Sequence, residues 1–150
     1  MLPRTVAGSV STSTEPTSPI APLPSTETHG VRIDAEHRWG GEVVLARITG
    51  ELDLLSTPVL RRWIIRHTSR SRPRGLVLDM RDVVFLSASG LGVLSELDGC
   101  AAHQNFPWAL VAATRVVLRP LQITGLETRI PLYRSTADAV EAVRATAHMS

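Results

Sequence analysis

The sequence predicts an α/β domain built on a mixed central sheet that opens with an antiparallel hairpin. Two apolar segments on either side of Gly40-Gly41 have the pattern of paired strands. Beyond them, segments with apolar residues at helical spacing alternate with short apolar runs. This alternation of helix and strand is typical of a sheet whose later strands are parallel. At 150 residues, the chain has the length of one domain with a terminal extension.

The opening hairpin is predicted on the two sides of the glycine pair. Residues 31–36 alternate Val, Ile and Ala with charged residues, as a half-buried strand does. Residues 43–49 are mostly aliphatic or β-branched and form the expected second strand. A tight turn at Gly40-Gly41 would make these two strands antiparallel neighbours.

The remaining elements are predicted to alternate between helix and strand. An amphipathic helix begins near Ser56, with Ser56 or Thr57 as its cap and Pro58 in its first turn. The next expected elements are a buried strand at Leu76–Met80, a helix that begins close to Ser89 and a strand at Trp108–Ala112. A helix is then expected over residues 114–124, which Pro120 bends or shortens and Gly125 ends. It is followed by a strand at Arg129–Leu132. The last element is a helix that Ser135 caps, with Ala139, Val140 and Val143 facing inward.

Residues 1–29 are predicted to form a disordered tail, and residues 30–147 the folded domain. Ser, Thr, Pro and Ala dominate residues 5–28, so this segment offers little apolar surface for packing. Ordering it would therefore cost more conformational entropy than its burial returns. We expect the tail to contribute little to the core.

Composition favours a cytoplasmic protein that does not insert into a membrane. Cys100 is the only cysteine, which excludes an internal disulfide and is typical of a reducing compartment. No segment approaches the ~18 consecutive apolar residues of a spanning helix. The first residues also lack the continuous apolar run of a secretory signal.

The charge pattern does not indicate a nucleic-acid-binding surface. The chain has 16 arginines, no lysine and 14 acidic residues, for a net charge of +2. The densest basic run, Arg61 to Arg74, is interpreted as the solvated face of a helix and the loop after it. Direct binding to nucleic acid is therefore not expected.

Metal, nucleotide and catalytic sites are not expected either. The histidines are scattered and Cys100 has no cysteine partner, so no metal-ligand spacing occurs. A P-loop needs a lysine, which the chain lacks. A hydrolase would need Ser89 as nucleophile and a base such as His103, but Ser87 stands where Gly-x-Ser-x-Gly has its first glycine. We expect no enzyme activity and no cofactor.

Four short motifs occur in the order and spacing of a known family. They are Gly50-Glu51-Leu52-Asp53, Leu76-Val77-Leu78-Asp79, the eight residues FLSASGLG from Phe85 to Gly92, and Thr124-Gly125-Leu126. In this combination the chain resembles STAS domains over about residues 43–143, and among them the anti-sigma factor antagonists. The resemblance implies a STAS-like fold.

The resemblance also implies a regulator that switches between protein partners. In such antagonists, an anti-sigma factor that is itself a serine kinase phosphorylates a Ser or Thr just before Gly-Leu-Gly. The unmodified antagonist binds that kinase and frees the sigma factor. Ser89 matches the acceptor, and Asp53 and Asp79 match acidic positions near its loop. The partner-binding residues implied are Asp53, Asp79, Ser87, Ala88, Ser89, Gly90 and Leu91.

The residues around Ser89 leave alternatives open. A phosphate is favoured at a helix start, where backbone N–H groups lack helical partners, but a plain N-cap role for Ser89 explains the same pattern. The family commonly has Asp followed by Ser or Thr where this chain has Ser87-Ala88. Ser87 is therefore the fallback acceptor. The alternative function is an unphosphorylated scaffold or regulatory subunit of a sensory or lipid-transport assembly. A weak homodimer is a further open alternative.

Overall fold

The structure is a computed structural model that describes residue 15, residues 23–69 and residues 74–149. The strands are β1 (Thr26–Thr28), β2 (Val31–Arg38), β3 (Val43–Leu52), β4 (Leu76–Leu86), β5 (Trp108–Val111) and β6 (Leu132–Tyr133). The α-helices are α1 (Thr57–Ser69), α2 (Ala88–Gln104), α3 (Arg115–Thr124) and α4 (Thr136–Met149). The strands form one sheet in chain order. The predicted α/β fold is confirmed.

The hairpin and the parallel strands lie as predicted. β2 and β3 are antiparallel, with Arg38 opposite Val43 at the turn. Gly40 and Gly41 in this turn have φ values of 64° and 97°, which glycine adopts at no steric cost. The pairs β3-β4, β4-β5 and β5-β6 are parallel, and a helix connects each pair.

Part of the predicted tail belongs to the folded domain. β1 pairs antiparallel with β2, and Leu23 packs against the core. The Glu15 carboxylate pairs with Arg38 at 2.5 Å. The expected start of order near residue 30 is therefore wrong for residues 23–29. The sequence missed β1 because this short, polar strand is held by its pairing with β2. Apart from Glu15, the rest of the predicted tail lies outside the described residues.

Apolar cores lie on both faces of the sheet. α1, α2 and α3 cover one face, and α4 covers the other. Residues central to the first core are Ile33, Ile48, Leu60, Leu78, Leu94, Leu110 and Leu121. In the second core, Ala139, Val140 and Val143 of α4 are buried as predicted, against Val43, Leu45, Val77, Ala109 and Val111. Among the helices of the described residues, none is both long and apolar enough to cross a membrane.

β4 is longer than predicted. The sequence predicts a strand at Leu76–Met80, whereas β4 continues to Leu86 and its pairing with β3 shifts register at two points. Val83 is buried, but Val84 and Phe85 are 61% and 51% exposed. Irregular pairing of this kind changes which side chains face the core. Simple alternation therefore fails as a guide to burial here.

α3 forms despite the proline within it. Gly125 ends the helix in the left-handed conformation, with a φ of 78°, as predicted. Pro120 lacks the N–H for one helical hydrogen bond, yet α3 continues for another turn beyond it. The expected shortening does not occur, because the burial of Val117 and Leu121 against the sheet stabilises the helix.

The last strand lies later than predicted. The sequence places it at Arg129–Leu132, whereas β6 is formed by Leu132–Tyr133. The amides of Arg129 and Ile130 donate to the Leu126 carbonyl at 3.0 and 2.9 Å, which holds them in a helical turn. Ser135 caps α4 as predicted, since its hydroxyl accepts from the amide of Asp138 at 3.1 Å.

Candidate functional site

The carboxyl ends of β3 and β4 bring the predicted acceptor loop beside the start of α1. Leu52 lies opposite Leu86 in this parallel pair, so both strands end at the same edge of the sheet. β3 continues through Asp53 into α1, and β4 continues through Ser87 into α2. The first turns of the two helices are therefore neighbours.

Ser87, rather than Ser89, is the N-cap of α2. Ser87 has an extended backbone, and its hydroxyl accepts from the Gly90 amide at 3.3 Å. Its amide donates to the Leu52 carbonyl at 2.9 Å, which fixes the loop to β3. Ser89 is the second residue of the helix. The N-cap interpretation considered for Ser89 therefore applies to Ser87.

Three hydroxyl groups meet between the helix starts. The Oγ atoms of Ser87 and Ser89 lie 2.8 Å apart, and Ser89 Oγ donates to Thr57 Oγ1 at 3.3 Å. Thr57 is 1% exposed, whereas both serines are half-buried. The predicted acceptor hydroxyl thus links the first turns of α1 and α2, and sequence analysis had assigned no such role to Thr57.

The other predicted partner-binding residues of this loop differ in accessibility. Ala88 is exposed, and Leu91 is half-buried against the core. Gly90 is buried, and a Cβ atom there would lie 2.6 Å from Leu86 Cδ1 and 3.3 Å from Leu52 Cβ. Gly90 thus permits the close approach of α2 to β3, so its role is in packing.

Asp53 stabilises the turn that begins α1. Its carboxylate accepts from the amides of Leu55 and Ser56 at 3.0 and 2.9 Å, and Ser56 Oγ accepts from the Asp53 amide at 2.9 Å. Such a reciprocal pair is a capping box. The amide and hydroxyl of Ser56 lower the pKa of the Asp53 carboxyl. The sequence analysis predicted Ser56 or Thr57 as the cap of α1, which begins at Thr57, but it did not predict the turn from Asp53 to Ser56 before it, for which the Asp-x-x-Ser spacing was the signal.

Asp79 lies far from the acceptor loop. Its side chain is 2% exposed and bonds to Arg81 at 2.9 Å and to Thr136 of α4 at 3.1 Å. Burial raises the pKa of Asp79, but the hydrogen bonds from Arg81 and Thr136 outweigh it and lower the pKa below its usual value. Asp79 precedes the end of β4 at Leu86 by seven residues, or about 23 Å of strand. The structure does not bring it to Ser89.

His103 is equally remote from Ser89. It lies in the last turn of α2, 14 residues further along the helix, which corresponds to about 21 Å. A general base must reach its nucleophile within hydrogen-bond distance or through one water. The pair considered for a hydrolase is therefore not assembled.

Exposed apolar side chains stand at the strand ends that carry the loop. Leu54 and Leu55 are 78% and 69% exposed in the turn before α1, and Val84 and Phe85 are 61% and 51% exposed near the end of β4, at the same edge of the sheet. Contiguous exposed apolar surface is a common feature of interaction sites. Sequence analysis had not singled them out, because leucine is far more often buried than exposed.

Comparison with known proteins gives consistent matches. The family profile described as STAS domain matches residues 33–139. The anti-sigma-F factor antagonist RsfB of Mycobacterium tuberculosis is 30% identical over 102 residues, which cover 68% of this chain and 82% of the relative. The anti-sigma F factor antagonist of Paenibacillus polymyxa is 26% identical over 110 residues, with 73% and 92% coverage. The crystal structure of an anti-sigma factor antagonist from Mycobacterium paratuberculosis has a TM-score of 0.65 at 30% identity, with 76% and 94% coverage.

Proposed function

Because this chain belongs to the anti-sigma factor antagonists of the STAS domain family, we propose that it binds an anti-sigma factor of the serine-kinase type and thereby releases a sigma factor. The observation that carries the proposal is the half-buried hydroxyl of Ser89 in the first turn of α2, at the sheet edge where Leu54, Leu55 and Phe85 are exposed. This combination offers an apolar contact area and a modifiable group in one place.

The proposed docking surface, called the acceptor surface below, consists of Leu54, Leu55, Phe85, Ala88 and Ser89. Its three large apolar side chains are more than half exposed. Burying them against a partner is favourable by about 25 cal/mol per Å² of apolar area removed from water. A few such side chains typically dominate the affinity of an interface.

Phosphorylation of Ser89 is the proposed off-switch. The Ser89 Oγ–P bond forms as the bond between the γ-phosphorus of ATP and its bridging oxygen breaks, leaving ADP, and the hydroxyl proton passes to a base on the kinase. The helix dipole and the N–H groups of the first turn of α2 favour the added negative charge. That charge, about −2, would oppose docking through repulsion and the cost of its desolvation.

Ser87 is the fallback acceptor in this proposal. Its hydroxyl already caps α2, and losing such a cap costs about 1 kcal/mol. A phosphate on Ser87 would keep oxygen atoms that can accept from the Gly90 amide, and the helix dipole favours its charge, so the N-cap role does not exclude Ser87 as an acceptor. Since Ser87-Ala88 departs from the family pattern, an unmodified scaffold in a sensory or lipid-transport assembly is the alternative function.

We further propose that the chain acts in the cytoplasm and catalyses no reaction itself. The relatives carry the name of antagonists, which describes binding to a regulator. The distance between Ser89 and His103 also supports a non-catalytic role. In this proposal the nucleotide site and the chemistry of phosphoryl transfer belong to the partner.

The test uses the full chain, a purified anti-sigma factor kinase from the same cells, and ATP. Mass spectrometry should find phosphate on Ser89, with Ser87 as the fallback. Ser89→Glu should fold but bind at least about tenfold more weakly, as repulsion or desolvation of one charge predicts. Ser89→Ala should fold and keep most of the binding, because it adds no charge to the acceptor surface. Ser95→Glu, on the same helix but outside the acceptor surface, controls for added charge.

Two results would contradict the proposal. If neither serine accepts phosphate and the Ala and Glu variants bind equally, there is no phospho-switch and the unmodified binding function replaces it. If the purified kinase does not bind the chain at all, the proposed partner class is wrong.

A further inference from the structure

We infer that Thr57 is a positioning residue that transmits the state of the Ser89 hydroxyl to the exposed leucines before α1. The inference rests on the proposed function, in which phosphorylation of Ser89 is the signal. It adds the residues through which that modification would reach the exposed leucines. On this route, modification of Ser89 alters the shape of the acceptor surface as well as its charge.

The first step is the hydrogen bond between the two helix starts. Ser89 Oγ donates to Thr57 Oγ1 at 3.3 Å, and Thr57 is 1% exposed. A buried hydroxyl with so little access to water depends on its protein partner, because an unsatisfied polar group in the interior is costly. The hydrogen bond from the Ser89 hydroxyl therefore holds the Thr57 side chain in its observed position.

The second step is the internal bonding of the turn. The Thr57 amide donates to the Asp53 carbonyl at 3.0 Å, and Ser56 Oγ donates to the Glu51 carbonyl at 2.6 Å. Together with the capping box between Asp53 and Ser56, these bonds connect residues 53–57 closely. We call this segment the α1 turn. A displacement of Thr57 therefore moves Leu54 and Leu55 with it.

The third step is the effect of phosphate. Forming the ester removes the hydrogen that Ser89 donates to Thr57, and a tetrahedral phosphoryl group is much larger than that hydrogen. Thr57 must then either donate its own hydrogen to a phosphoryl oxygen or lose its partner. Both outcomes shift Thr57, and the α1 turn shifts with it.

The bodies of the helices stay in place during this adjustment. Val59 and Leu60, which follow Pro58 in the first turn of α1, are 4% and 0% exposed in the core. One turn further on, Arg61 and Glu96 join α1 to α2 through two hydrogen bonds of 3.1 and 2.9 Å. The displacement is therefore confined to the α1 turn, where the exposed leucines are.

The test needs no kinase, so it is independent of whether Ser89 is phosphorylated. Hydrogen exchange of the Leu55 and Ser56 amides reports on the α1 turn, because both donate to Asp53. Ser89→Ala and Thr57→Val should each raise their exchange rates roughly 3- to 10-fold, the effect of losing one hydrogen bond. The double variant should exchange no faster than the faster single variant, because both changes remove the same bond.

Two variants serve as controls. Thr68→Val alters a buried threonine of the same helix whose hydroxyl bonds to the Ile64 carbonyl at 2.8 Å, and it should leave the α1 turn unchanged. Thr57→Ser keeps the hydroxyl and should restore slow exchange. Additive effects of Ser89→Ala and Thr57→Val, or an equal effect of Thr68→Val, would overturn the inference even if the kinase binds. If the Ser89 and Thr57 variants show the expected non-additive effect, but the kinase does not bind the chain or does not phosphorylate it, the proposed function is contradicted and the inference is not.

Discussion

The carboxylate of Asp79 is held by Arg81, two residues further along β4, with 2.9 Å between Asp79 Oδ2 and Arg81 Nη2. The same carboxylate oxygen accepts from the Thr136 hydroxyl at the start of α4. A buried charge is stable only when it is paired and hydrogen-bonded. Asp79 therefore connects β4 to the helix on the second face of the sheet, and its role is in stability.

Asp79→Asn should lower the free energy of unfolding and flatten its dependence on pH. Removing one partner of a buried ion pair costs about 3–5 kcal/mol, and the 40% exposure of Arg81 puts the expected loss at the lower end. Because the folded pKa of Asp79 is lowered, its contribution is present above the unfolded pKa and is lost as pH falls through the folded pKa.

Urea unfolding at pH 7 and at pH 3 checks this prediction. The wild type should lose more stability than Asp79→Asn on acidification, because the variant has no carboxyl to protonate at this position. Asp82→Asn, an exposed position on the same strand, is the control and should follow the wild type. Equal pH profiles for Asp79→Asn and the wild type would contradict the assigned role.

Alanine at Gly90 and at Gly92 should have opposite effects on stability. A methyl group at Gly90 meets Leu86 and Leu52, so Gly90→Ala should destabilise by about 1–3 kcal/mol. A methyl group at Gly92 meets no described atom within 4 Å. Gly92→Ala should stabilise by about 0.5–1 kcal/mol, as alanine does in a helix interior. Thermal unfolding shows the sign of each change, and a stabilising Gly90→Ala would refute the close approach of α2 and β3.

Deleting residues 1–29 should destabilise the domain. The deletion removes β1 and half-buried Leu23, and burial of a leucine side chain contributes about 1.5–3 kcal/mol when complete. We expect a loss of about 1–2 kcal/mol, on the same scale. Leu23→Ala in the full chain should account for much of it. An unchanged midpoint of thermal unfolding would show that residues 23–29 do not stabilise the domain, which would then begin at residue 30.

Leu55→Ser should weaken binding to the partner while leaving stability nearly unchanged. Leu55 is 69% exposed, so its loss removes apolar contact area from the acceptor surface but little from the core. Titration calorimetry should show an increase in Kd of about tenfold or more, as for other central interface residues. Ile123→Ser, at a 71% exposed position at the far end of α3, is the matched control. Equal losses for both would indicate a different surface.

Most of the fold was predictable because its signals are local. The glycine pair between two strands, the helical spacing after Ser56 and the caps at Gly125 and Ser135 each depend on a few neighbouring residues. β1 was not predictable in this way, since its three polar residues form a strand through hydrogen bonds to β2. The exposed pair Val84 and Phe85 likewise follows from irregular pairing with β3.

The candidate site was predictable in its position but not in its contacts. The FLSASGLG motif located the start of α2, and local pattern could not decide between Ser87 and Ser89 as its cap. The bond from Ser89 to Thr57 joins residues 32 positions apart, so it depends on the parallel pairing of β3 with β4. Asp79 belongs to another of the four motifs and lies one long strand away from the site, because β4 continues to Leu86, beyond the predicted strand at Leu76–Met80.

The agreement between strand order and chain order bears on how the protein is made. Each strand pairs with the strand synthesised immediately before it, so it can join the sheet soon after leaving the ribosome. Among the strands that the structure describes, none pairs only with a partner from the far end of the chain. The parallel pairs still join residues 22 to 34 positions apart, because a helix lies between their strands, so each pairing must close a loop before its contacts form.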